Sequence, residues 1–192
     1  EENATATVVG AQGGTVSLVD SNEVEYTLVI PQGALSADTE IRMTAVTTVQ
    51  DWPLDGNPIG AVRLEPQGLV LNDVAILTIG FPVDVNPDLS IVGFAFQADG
   101  QEFHLQPSDE VSGLTNKLPS AGAHLASPAF QKPNHDIQVT VVEFKVGGVG
   151  LATDESVSNI VKNNAPTDAG AALEQKWAAE AIVDNELTPL KN

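Results

Sequence analysis

Cysteine is absent from the chain, which removes disulfide staples, thiol nucleophiles and cysteine-ligated zinc together. Lysine and arginine are scarce: eight basic residues stand against 26 acidic ones, for a formal net charge of −18. Duplex nucleic acid is held by cations that displace counterions, and anionic lipid by polybasic clusters, so neither nucleic acid nor a charged membrane surface is an expected partner. Long apolar runs are missing too. The best of them, Val74 to Val83, is interrupted by Thr78, Gly80 and Pro82 and falls far short of the ~20 residues a spanning helix needs, so no membrane insertion is expected. Aromatic residues make up only 5% of the chain, fewer than a glycan-binding surface usually carries.

What remains is enough for a self-sufficient core. A chain of 192 residues suits one domain with an appendage, and a domain near this size buries about 70% of its unfolded surface. The pattern is of short β-branched runs with turn residues between them. Thr5 to Val9 and Thr15 to Val19 flank a glycine turn, and Val24, Tyr26, Leu28 and Ile30 fall at period two, so one face of that strand is buried. Pro31 cannot donate to a ladder and Gly33 can take a positive φ, so the chain turns there, with Leu35 as an apolar plug and Ser36 to Asp38 as a polar rim. Ile41, Met43 and Ala45 begin another alternating strand.

Gly60 to Glu65, Asp73 to Gly80, Ile91 to Gln97, Glu102 to Leu105 and Asp136 to Val146 continue the pattern; Asp99-Gly100 signals a short hairpin, and Gly147, Gly148 and Gly150 are expected to end the last strand. No helical stretch separates these runs. The fold class is therefore mainly β, an antiparallel β-sandwich of about eight to ten short strands. After Ala152 the period changes: Asp154-Glu155 opens a helix ending near Asn163, and Thr167 or Asp168 caps a second with Leu173, Trp177 and Ala181 on one face. The expected organisation is a sandwich over residues 1–152 and a helical extension over residues 153–192, which either packs on the sandwich or displays Trp177 to a partner.

Four pieces in order carry a resemblance: Gly13-Gly14-Thr15-Val16, Ile30-Pro31-Gln32-Gly33-Ala34-Leu35 with Thr39-Glu40-Ile41, Val62 to Leu69 with the strand Val74 to Phe81, and Val142 to Gly150. Over residues 8–152 the chain resembles the ZU-type domain of zonula-occludens proteins, netrin receptors and ankyrins, in the branch found in secreted bacterial proteins. That resemblance implies a protein-binding or spacer module, and an extracellular, cell-surface or periplasmic location. Glu1 without a methionine or leader is read as a leader removed or a piece of a longer chain. Some relatives cut their own chain where a histidine two residues ahead of a serine activates its hydroxyl. The matching positions here are Glu143, Phe144 and Lys145, and an amine cannot form the ester that such hydrolysis requires, so self-cleavage is expected to be absent. His124 and Ser127 are three apart, one too many for that register.

No catalytic group is assigned. His104, His124 and His135 share no metal-ligand spacing, and Glu23 with Glu25 marks the wet side of a strand. Asp84, Asn86 and Asp88 repeat the front half of a calcium loop without its glycine or distal glutamate; the reading is a solvated turn, with no metal and no cofactor, and calcium as the alternative. The loop from Asp51 to Pro58, with Trp52, Asp55 and Asn57, is the candidate binding loop, and the irregular stretch Ser108 to Pro133 is a second. The expected function is that of a non-enzymatic module binding a protein partner; a carbohydrate-binding or adhesin domain on the same sandwich is the alternative.

Overall fold

A computed structural model describes residues 3–49, 51–82, 88–97, 101–110, 135–163, 166–167 and 171–178. The strands are β1 (Ala4–Val9), β2 (Gly14–Val19), β3 (Glu25–Ile30), β4 (Thr39–Val46), β5 (Pro58–Glu65), β6 (Val70–Phe81), β7 (Ser90–Phe96), β8 (His104–Gln106), β9 (Ser108–Glu110), β10 (His135–Glu143) and β11 (Val146–Ala152), followed by helix α1 (Asp154–Asn163). Residues 171–178 form a further helical stretch, α2. Two sheets result, six-stranded in the order β1-β4-β5-β11-β7-β8 and five-stranded in the order β2-β3-β6-β10-β9. Every pairing is antiparallel. The fold is the mainly β, two-sheet sandwich that the alternating pattern dictates.

The core between the sheets is built from the period-two residues. Val24, Tyr26, Leu28 and Ile30 are all buried, as are Ile41, Met43 and Ala45 opposite, with Leu64, Leu77, Ile79, Val139 and Phe144 filling the space between. The Pro31 to Leu35 turn sits at one end of it. Gly33 has φ of 85°, its N–H donates to Ala11 O at 2.9 Å, and Leu35 is buried. A Cβ on Gly33 would meet nothing within 4 Å, so a substitution there would be opposed by backbone conformation alone. Gly33→Val is expected to destabilise the fold by about 1–3 kcal/mol in urea denaturation, and a change below ~0.5 kcal/mol would show that the turn tolerates a side chain at that φ.

The six-stranded sheet has a second buried layer on its outer face. One rung crosses five strands there: Val46, Ala61, Gly148, Phe94 and Leu105 are successive partners. Phe94, Phe96, Ala61 and Val146 form a buried cluster against Val49, Trp52 and Phe103, and Val92, Leu105, Ala152, Val157 and Ile160 form another. The loop before β5 and helix α1 cover this face.

One expectation is corrected by the geometry. Gly147, Gly148 and Gly150 do not end a strand: they lie inside β11, in the interior of the six-stranded sheet, with a register shift against β5 between Val149 and Gly150. At Gly148 and Gly150 glycine answers to close approach, since a Cβ on Gly150 would stand 2.6 Å from the Trp52 ring and one on Gly148 2.3 Å from Gly60 O. In α2, the face bearing Leu173 and Trp177 is turned outward; Ala171, Gln175 and Ala178 are the buried residues. Ala181 and Leu187, expected on the same helix, lie outside the described residues.

Candidate functional site

The candidate loop is stitched into the body by its own side chains. Trp52 lies edge-on to Phe94 with ring centroids 4.8 Å apart and to Phe103 at 5.7 Å, and its Nε1–H donates to Gly56 O at 2.6 Å. The indole is thereby part of the outer-face cluster. Asn57 is exposed, and its carbonyl accepts from Leu151 N at 2.9 Å, tying the loop to β11. Asp55 reaches the start of α1, where its carboxylate accepts from Thr153 N at 3.0 Å and from the Thr153 hydroxyl, while Asp55 N–H donates to Ser156 Oγ at 3.3 Å. Thr153 in turn caps α1, its Oγ1 accepting from Ser156 N at 3.2 Å.

These bonds have an electrostatic consequence. The hydroxyl and then the amide of Thr153 hold the Asp55 carboxyl below the ordinary carboxylate range. Because the folded state favours the ionised form, the stability contributed by Asp55 is fully present above its unfolded-state value and is lost as pH falls through the folded one. Asp55→Asn is expected to lower the melting temperature at neutral pH and to flatten its decline at acid pH. An unchanged acid limb would contradict the strut.

The tail is fastened to the β8 edge by a buried polar contact that no spacing in the sequence announced. His104 is fully buried; its Nε2 lies 3.0 Å from Glu174 Oε2 on α2, and its Nδ1 lies 2.9 Å from Glu102 O. Gln106, two residues along the same strand face, donates from Nε2 to the same Glu174 oxygen at 3.4 Å. Glu102 completes the clasp, its carboxylate accepting from Thr167 N at 3.0 Å and from the Thr167 hydroxyl. His104 and Gln106 stand at i, i+2 on one side of β8, and Glu174 lies 70 positions beyond His104, so its approach depends on how the tail folds back. Trp177 stands apart on the outer side of α2, 52% exposed, with Leu173 one helical turn before it at 45%.

At Glu143 to Lys145 the chain passes between β10 and β11 with its backbone pinned. Phe144 N donates to Leu69 O at 2.9 Å, Gly68 N donates to Phe144 O at 2.9 Å, and Leu64 N donates to Lys145 O at 3.0 Å. The Phe144 side chain is fully buried, and Lys145 Nζ pairs with Glu143 Oε2 at 2.9 Å. Of the proposed calcium turn, Asp84 and Asn86 lie outside the described residues, and Asp88 is exposed. His124, Ser127 and most of the Ser108 to Pro133 stretch also lie outside them. His135 stacks on Phe81 with centroids 5.3 Å apart, remote in sequence and in sheet from His104. Among the described residues no group of three or more His, Asp or Glu converges to hold a metal ion.

A small pocket of about 90 Å³ opens at one end of the sandwich, lined by residues that include Asp20, Asn22, Thr47, Thr48 and Gly60. Its one carboxylate is fully engaged: Asp20 accepts from Asn22 N at 2.7 Å, Val24 N at 3.1 Å and the Tyr26 hydroxyl at 3.1 Å. Burial, and next the Asp20 charge, push the Tyr26 phenol well above its ordinary value, so it stays a donor. The volume admits a few waters, whereas small-molecule sites run to several hundred Å³. No protein-family model matches the chain, and no curated protein matches it in sequence. Among the described residues, no helix is long and apolar enough to cross a membrane.

Proposed function

We propose that the chain is a non-enzymatic interaction or spacer module of the extracytoplasmic, ZU-like kind, secreted or displayed on a bacterial cell surface, whose partner is a protein. The observation that carries this reading is the state of α2: the helix is locked to the sheet edge through Glu174 and His104, yet it turns Leu173 and Trp177 outward, one helical turn apart. A fixed helix presenting a tryptophan and a leucine at i and i+4 is a recurring protein-recognition surface, and it loses little entropy on binding because it is already ordered. Among the described residues, polar groups that a site of chemistry could draw on serve as struts: Asp55 to Thr153, Lys145 to Glu143, Asp20 to Tyr26. The acidic surface favours a partner with basic character.

The carbohydrate-binding alternative needs an aromatic platform, and Trp52 is committed to the internal cluster, which leaves Trp177 alone. Trp177→Ala is expected to change unfolding free energy by less than about 0.5 kcal/mol while weakening retention on cell-envelope protein by about tenfold or more. A glycan panel is expected to leave the tryptophan emission unchanged. A saturable shift on adding a sugar would transfer the assignment to the carbohydrate reading.

A further inference from the structure

We propose that β1 is a self-pairing edge, through which two copies of the chain join their six-stranded sheets in antiparallel fashion about a two-fold axis at Ala6. The two lateral sides of the sandwich are treated differently by the sequence. On one side the edges are β8 and β9, three residues each; β9 carries Asp109 and Glu110, and β8 is clasped by α2. On the other side the edges are β1 and β2, ATATVV and GTVSLV, six residues each. Neither carries a lysine, a proline or any charge, which are the usual devices that keep an exposed edge from pairing. The neutrality extends beyond the strands, since no residue from Asn3 to Val19 is charged in a chain of net charge −18.

The hydrogen-bond pattern specifies the occupant. Ala45 N donates to Asn3 O at 2.9 Å, and the register pairs Thr5 with Met43 and Thr7 with Ile41. In an antiparallel ladder the bonding residues alternate, so Thr5 and Thr7 face β4, while the amides and carbonyls of Ala4, Ala6 and Val8 point away from the sheet. Among the described residues no backbone bond takes up those groups. On β2 the bond from Asp20 N to Val24 O at 3.0 Å sets the same alternation, turning Thr15, Ser17 and Val19 outward, and there Asn3 Nδ2 already donates to Val19 O at 3.0 Å. The β2 edge is thus capped at one end and open at Thr15 and Ser17, whereas all three outward residues of β1 keep their backbone groups for a second strand.

The three outward residues of β1 are spaced so that a second β1 in antiparallel orientation satisfies all of them, Ala4 opposite Val8 and Ala6 opposite Ala6. Side chains at these positions are small, uncharged and exposed, Val8 at 64%. Like-charged copies repel at long range everywhere except where charge is absent, and that neutral side is the one offering unpaired backbone. The same axis turns the two β2 edges toward each other, and these are neutral as well. Because β1 and β8 are opposite ends of the sheet, the pairing leaves α2 and Trp177 free, so this inference goes beyond the binding role proposed above and stands apart from it.

Sedimentation velocity on the full chain, from micromolar to millimolar concentration, tests it. The wild type is expected to show a monomer–dimer equilibrium. Ala6→Pro removes an outward N–H that β4 does not use, and Ala6→Lys sets two like charges opposite each other at the axis; each is expected to raise the dimer dissociation constant about tenfold or more with the monomer still folded by circular dichroism. Mixing Ala6→Lys with Ala6→Glu is expected to restore a dimer, which damage to the fold could not do. A wild type that stays monomeric throughout, or a dimer indifferent to all three substitutions, would overturn the proposal and leave the edge to a foreign strand or to none.

Discussion

Phe94→Ala is expected to destabilise the protein by about 3–5 kcal/mol, the range for removing a fully buried aromatic ring that the surroundings cannot collapse to replace. Phe94 is fully buried although it lies on the outer face of its sheet, away from the main core. Three rings hold it: Trp52 edge-on at 4.8 Å, Phe103 stacked at 5.8 Å and Phe96 stacked at 5.9 Å. Truncation forfeits the transfer of the ring from water, leaves a cavity beneath the Trp52 loop, and breaks aromatic pairs worth about 0.5–1.5 kcal/mol each. Were that loop a freely displayed binding segment, the ring would be half wet and its loss would cost about 1 kcal/mol. Urea denaturation distinguishes the two.

Gly148→Ala is expected to cost about 3 kcal/mol or more, at the upper end of what overpacking produces, because the obstacle is backbone rather than a side-chain tip. A Cβ on Gly148 would stand 2.3 Å from Gly60 O and 2.7 Å from Ala61 Cβ, both on the adjoining strand β5. Its neighbour supplies the control. A Cβ on Gly147 would meet its nearest atoms at 3.7 and 3.8 Å, ordinary contact, so Gly147→Ala is expected to stay within about 1 kcal/mol of the wild type. Equal effects at the two positions would contradict the close approach of β11 to β5.

What could be read from the chain followed from local periodicity. The strand run Val24 to Ile30 alternates because one side faces the core, and the Pro31 to Leu35 turn declares itself by a residue without an N–H and one free to take positive φ. Helix α1 was equally plain, from its acidic first turn to Asn163. The glycines of β11 misled because glycine between strands usually marks a turn; here Gly148 lets the adjoining strand β5 approach and Gly150 an indole, a property of the partners rather than of the segment. Trp52 misled for a related reason. A loop rich in proline suggests exposure, and nothing local reveals that the outer face of the sheet offers an aromatic socket for the indole. The clasp of His104 on Glu174 joins residues 70 positions apart, beyond the reach of any spacing rule. On α2 the side that packs is the alanine side, since small residues let the helix sit close to the sheet edge, and Trp177 lies on the other side.

The two tryptophans have opposite environments, Trp52 packed into the aromatic cluster and Trp177 exposed on α2. Fluorescence of the single-tryptophan forms Trp177→Phe and Trp52→Phe, with iodide as quencher, measures this directly. The Trp177→Phe form is expected to emit at shorter wavelength and resist quenching, and the Trp52→Phe form to emit at longer wavelength and quench readily. A Trp52 as accessible as Trp177, or a Trp177 shielded in the isolated chain, would contradict it.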